Sequence, residues 1–135
     1  MFKLIKIQNS GVNVPEPMLL KKSASLVVKI GEALVITDGL LAKCPATTTP
    51  THISLSNGEY GESEVTVFEV NSNMIFETTV SADPSMLDIG AKVTIANAPD
   101  GSATRVSATT ASGVATIVDL MNAENVGDKI NVKFN

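Results

Sequence analysis

Tryptophan is absent from this 135-residue chain, tyrosine occurs once and phenylalanine four times. An aromatic platform for stacking bases or sugars is therefore not expected. One cysteine, Cys44, excludes an internal disulfide, and one histidine, His52, excludes a multi-histidine metal site. No apolar run approaches the roughly 20 residues of a membrane helix. The opening Met1-Phe2-Lys3-Leu4-Ile5-Lys6-Ile7 mixes charge with apolar residues and does not read as a secretory signal, so no Sec export is expected. Charged residues make up only 18% and the net charge is −4, which speaks against a general nucleic-acid binder. A hydrophobic content of 44% speaks against disorder.

What is present is a chain of single-domain length rich in threonine and valine, whose β-branched side chains suit a pleated, half-buried surface. The pattern predicts short strands near residues 3–7, 25–30, 33–37, 40–44, 51–56, 64–70, 74–80, 92–96, 104–108, 114–119 and 129–134. Along Glu64–Val70, Val65 and Val67 fall on one face and Phe68 on the other, so this strand is expected to be covered on both sides. Turn residues punctuate the pattern at Asp38-Gly39, Asn57-Gly58, Asn71-Ser72-Asn73, Asp100-Gly101 and Ser112-Gly113. So many tight connections do not fit crossover helices. The expected fold is all-β: a small barrel or sandwich of short antiparallel strands. Single helical turns are expected only at Asp83–Leu87, where proline follows an N-cap aspartate, and at Leu120–Glu124.

Asp88-Ile89-Gly90-Ala91-Lys92-Val93 and Asn125-Val126-Gly127-Asp128-Lys129-Ile130 match in character, and Lys29-Ile30-Gly31-Glu32-Ala33-Leu34 is a looser third copy. Each reads as an apolar anchor, a glycine where the chain turns, and a strand, which is the corner that a bending sheet needs. A phosphate loop is excluded, because no glycine-rich stretch leads into a helix and no G-K-[ST] occurs.

The stretch Asn9–Lys22 is different. Pro15 and Pro17 hold the backbone extended and forbid a central strand. Together with Gly11 they mark residues 1–23 as an N-terminal arm on a β domain of residues 24–135. Met18, Leu19 and Leu20 either pack on their own domain or dock on a partner. Charge follows the same division. Residues 1–43 hold six lysines and three acids, whereas residues 44–135 hold four basic and eleven acidic residues. A basic end facing an acidic partner surface is the functional reading of that polarity.

Active-site chemistry finds little support. His52 lacks a nucleophile elbow, Cys44 reads as a small apolar residue at a strand end, and the carboxylates Glu59, Glu62, Glu64 and Glu69 follow no calcium-loop spacing. No catalytic residue, metal or cofactor is expected, and neither is an enzyme.

The order of segments supplies a resemblance. A basic, proline-containing N-terminus precedes Gly31-Glu32-Ala33-Leu34-Val35-Ile36-Thr37-Asp38-Gly39-Leu40-Leu41-Ala42-Lys43 and a Thr/Pro loop. His52-Ile53-Ser54-Leu55 and Glu64–Val70 follow, then Met74-Ile75-Phe76-Glu77-Thr78, and the chain closes on Gly127-Asp128-Lys129-Ile130-Asn131-Val132. Over residues 24–134 this resembles the small β-barrel decoration (head auxiliary) proteins of tailed-bacteriophage capsids. The resemblance implies a virion structural protein that is made in the host cytoplasm, binds the outer capsid surface and stabilises the shell. Its expected partners are the major capsid protein and copies of itself, a trimer ahead of a dimer or monomer; neither nucleic acid nor membrane is expected. The candidate capsid contacts are Lys3, Lys6, Pro15, Pro17, Met18, Leu19, Leu20, Lys21 and Lys22, with Lys3–Ile7 able to join a partner sheet by strand addition. A second reading, from another class, is a virion module whose loops at Ala46–Pro50 and Asn71–Asn73 bind glycans or a host surface.

Overall fold

The structure, a computed structural model, describes residues 1–8 and 15–135. Gly11, read as part of the arm, lies outside the described residues. Twelve strands are described: β1 (Lys3–Ile7), β2 (Met18–Lys21), β3 (Ala33–Thr37), β4 (Leu40–Lys43), β5 (His52–Ser54) and β6 (Glu64–Glu69), then β7 (Met74–Val80), β8 (Lys92–Val93), β9 (Ile95–Ala96), β10 (Arg105–Val106), β11 (Ala115–Asp119) and β12 (Lys129–Phe134). Among the described residues there is no helix. The fold is all-β. Asp83–Leu87 and Leu120–Glu124, expected as single helical turns, are β-turns, because aspartate side chains capture the local N–H groups. Asp83 Oδ1 accepts from Ser85 N–H (2.9 Å) and Asp119 Oδ1 from Met121 N–H (2.9 Å).

Two sheets form. The first runs β8-β11-β12-β7-β10-β9, with β1 also pairing with β7. Its terminal strands β8 and β9 are separated by Thr94 alone, so the sheet curls back on itself into a nearly closed barrel. One pairing departs from the antiparallel expectation: β10 lies parallel to β7. The second sheet runs β2-β6-β5-β3-β4, and a bridge between Lys22 and Leu41 brings its two edges together. The β3–β4 hairpin turns at Asp38 and Gly39, both at positive φ (51° and 79°), as a type I′ turn requires. Asn57-Gly58 is no hairpin; Gly58 forms an isolated bridge with Val28. Ser25–Ile30 is correspondingly not a strand.

Alternation along β6 assigns its two faces to two cores. Val65 and Val67 join Val28, Leu34 and Leu41 inside the second sheet, while Phe68 faces the larger cluster in and against the barrel. All four phenylalanines meet in that larger cluster. Phe68 stacks on Phe76 at 6.1 Å, and Phe2 and Phe134 meet edge on at 5.2 Å.

The opening residues do not form an arm. Phe2 is buried in the main core, its N–H donates to Gly31 O (2.9 Å), and β1 lies against β7 from Lys3↔Glu77 to Ile7↔Met74. Met18–Lys21, left outside the predicted strands, pairs with β6 at the edge of the second sheet, where a nearby proline is tolerated. An aromatic ring two residues into the chain has more to gain by burial than by exposure, and that gain fixes the segment.

Glu32, buried, ties the two sheets together. Its Oε1 accepts Lys29 N–H (3.0 Å) and its Oε2 accepts Ala103 N–H (2.9 Å). Burial raises the pKa of this carboxyl from 4.5, opposed in part by those two donors and by Lys43. A carboxyl with a raised pKa binds its proton more tightly in the folded state. Its contribution to stability is therefore complete below the ordinary value and is lost as pH rises through the raised one. Denaturant midpoints taken at increasing pH above 4.5 should show the wild type losing stability relative to Glu32→Gln; a difference independent of pH contradicts this.

Candidate functional site

The candidate contacts divide between the surface and the interior. On β1, Lys3 and Lys6 are exposed. On β2 the side chains alternate: Met18 and Leu20 pack on the second core, Leu19 is 62% exposed, and Lys21 is exposed opposite Glu64. Lys22 is 3% exposed and withdrawn from any contact role. Its Nζ donates to the carbonyls of Leu26 (2.7 Å), Glu59 (3.0 Å), Glu62 (2.6 Å) and Ser23 (3.3 Å). Gly58 leaves room for the stem: a Cβ there would lie 2.8 Å from Lys22 Cε. Pro15 and Pro17 line an apolar groove of about 340 Å³ together with Leu4, Ile30, Leu55 and the buried Phe68. The surface left by these placements is Lys3 and Lys6 on β1, Leu19 and Lys21 on β2, and the proline-lined groove.

The chemistry-bearing side chains lie elsewhere. Cys44 is buried, its Sγ donates to Thr48 O (3.0 Å), and burial pushes its pKa up to about 12, so the thiol stays protonated. His52 lies on β5, with Nδ1 at 2.8 Å from Thr51 Oγ1; partial burial lowers its pKa against the opposing effect of Glu69 across the ladder. Among the described residues no three His, Cys, Asp or Glu side chains group as a metal site.

The repeated corners reveal what the sequence pattern left unseen. In Lys29-Ile30-Gly31-Glu32, Glu59-Tyr60-Gly61-Glu62, Asp88-Ile89-Gly90-Ala91 and Asn125-Val126-Gly127-Asp128, the fourth N–H donates to the first carbonyl at 3.0–3.1 Å. The glycine is at positive φ in all four, as the third position of a type II turn requires. In three of them the fourth residue's carboxylate also accepts from the first N–H: Glu32 to Lys29, Glu62 to Glu59 and Asp128 to Asn125. Each turn leads into a strand, as expected of a sheet corner. The apolar residue before the glycine is not an anchor, however. Ile30, Tyr60, Ile89 and Val126 are all exposed, because the apex of such a turn points away from the sheet. Tyr60, at 77%, marks a fourth copy that the sequence comparison missed, and the recurring apolar-Gly-acid string is the signal that finds it.

No family model matches the chain, and no curated protein matches it. The architecture defines a class: an all-β chain of two curled sheets sharing one aromatic core. Among solved structures it is similar to the head fiber gp8.5 N base of bacteriophage phi29, with a TM-score of 0.57 and 11% sequence identity. The similarity covers 90% of this chain and 95% of that one.

Proposed function

We propose that this chain is a structural protein of a bacteriophage virion that binds the outer surface of the capsid and stabilises the shell. One observation carries the reading: nearly the whole of both chains superposes, so the likeness to a phage head-fiber base extends beyond a shared hairpin or half-barrel. The capsid-facing surface in this reading is Lys3 and Lys6 on β1, Leu19 and Lys21 on β2, and the groove beside Pro15 and Pro17. It combines exposed cations with apolar area, which suits an acidic coat-protein surface.

Co-sedimentation of the purified protein with empty heads that lack it tests the proposal. The wild type should pellet with the heads, and Lys3→Glu/Lys6→Glu/Lys21→Glu should bind about tenfold more weakly, with a reduced dependence on salt. Wild-type protein that stays in the supernatant at every concentration refutes capsid binding. Equal binding by the triple variant refutes the assigned surface.

A further inference from the structure

We propose that the end of the barrel formed by residues 81–91 and 119–128 is a second docking surface, built for another virion protein whose contact patch is apolar at its centre and basic at its rim. The proposal rests on the reading of the chain as a virion protein. Both loops leave the same end of the barrel. Gly127 N–H donates to Val80 O at the end of β7 (2.8 Å), and Gly90 N–H donates to Ile117 O on β11 (2.8 Å). Four large apolar side chains stand in water there: Met86 at 90% exposure, Ile89 at 67%, Val126 at 59% and Met121 at 43%. Leu87, beside Met86, is buried in the core and anchors the loop that carries it.

These side chains stand on a fixed backbone. Asp83 and Asp119 cap their own turns, and Asp128 Oδ2 accepts from both Glu124 N–H and Asn125 N–H at 2.9 Å. A surface already ordered loses little entropy when a partner covers it. Met121 also carries a local cost, since it sits at φ 52° beside Asn122 at 57°, where glycine or asparagine is at ease and other side chains are strained. Exposed methionines conform readily to a partner's contours.

Charge decides what that partner is. Residues 81–91 and 119–128 contain five carboxylates, Asp83, Asp88, Asp119, Glu124 and Asp128, and neither lysine nor arginine. Lys92 and Lys129 border them at the starts of β8 and β12, and Lys129 pairs with Glu77 (3.4 Å), so the end stays acidic on balance. An apolar patch within an acidic rim repels a second copy of the same end and selects a basic rim. The two surfaces are centred on different parts of the barrel: β1 pairs with β7 from Ile7↔Met74 to Lys3↔Glu77, three residues short of Val80, where both loops gather.

Methionine oxidation by dilute peroxide, applied to purified particles carrying the chain and to the isolated protein, tests the inference. In the isolated protein Met86 and Met121 should oxidise readily at every protein concentration, while the buried Met74 resists. In particles, oxidation of Met86 and Met121 should slow about tenfold, and the exposed double reversal Asp88→Lys/Glu124→Lys should return it toward the free rate. Equal rates in particles and in isolation overturn the proposal. So does protection that grows with concentration in the isolated protein, because the occupant is then a second copy. If the chain is missing from purified particles, the virion reading itself falls, a failure distinct from unprotected methionines on a chain that is present.

Discussion

Phe2→Ala is expected to destabilise the protein by about 3–5 kcal/mol, the range for removing a buried aromatic side chain. The ring is buried between Phe76 at 6.4 Å and Phe134 at 5.2 Å, both in edge-on geometry. The truncation leaves an unfilled space against two other rings, which β1 and β7, already paired, have little freedom to collapse into. Because a domain of this size is stable by only about 5–15 kcal/mol, the loss is a large share of the total. Guanidinium titration monitored by circular dichroism measures it. Ile5→Ala on the same strand, where the side chain is exposed, should change stability by less than about 0.5 kcal/mol. A Phe2→Ala midpoint within error of the Ile5→Ala midpoint would show that the N-terminus is a separable arm after all.

The second large effect is expected at Lys22. Lys22→Met keeps most of the aliphatic stem but removes the donor shared by four carbonyls, and should cost about 3 kcal/mol. Three ammonium hydrogens serve four acceptors, so one hydrogen is shared. Without them the turn at Ser23–Leu26 and the turn at Glu59–Glu62 lose the group that joins them. Lys22→Ala should cost more, because it adds a void beside Gly58. Lys21→Ala, one residue earlier and exposed, should be nearly neutral. Equal midpoints for Lys21→Ala and Lys22→Met would remove the strut.

These two residues show where sequence reading stops. Lys21 and Lys22 are the same residue type in the same run of charge, and β alternation says only that they point to opposite sides. Which side holds water depends on the Glu59–Glu62 turn, some forty residues further along. Phe2 poses the same problem: its partners Phe76 and Phe134 are distant in sequence, and two nearby prolines gave the segment the look of an arm. Of the nine candidate contacts, Lys3, Lys6, Leu19 and Lys21 lie open, whereas Met18, Leu20 and Lys22 turn inward.

Taken by itself, the sequence determined what local chemistry controls. Strands 3–7, 33–37, 74–80 and 129–134 fall where their apolar and β-branched residues put them, the Asp38-Gly39 hairpin closes as its φ preferences demand, and the two-sided burial of the strand at Glu64 follows from its Val and Phe positions. Each of these depends on residues a few places apart. The tertiary structure alone decided that one lysine is an internal strut, that the N-terminal strand belongs to the barrel, and that Ile89 and Val126 face outward at an acidic end. Burial is conferred by whatever arrives from elsewhere in the chain, and a period of two residues carries no record of what arrives.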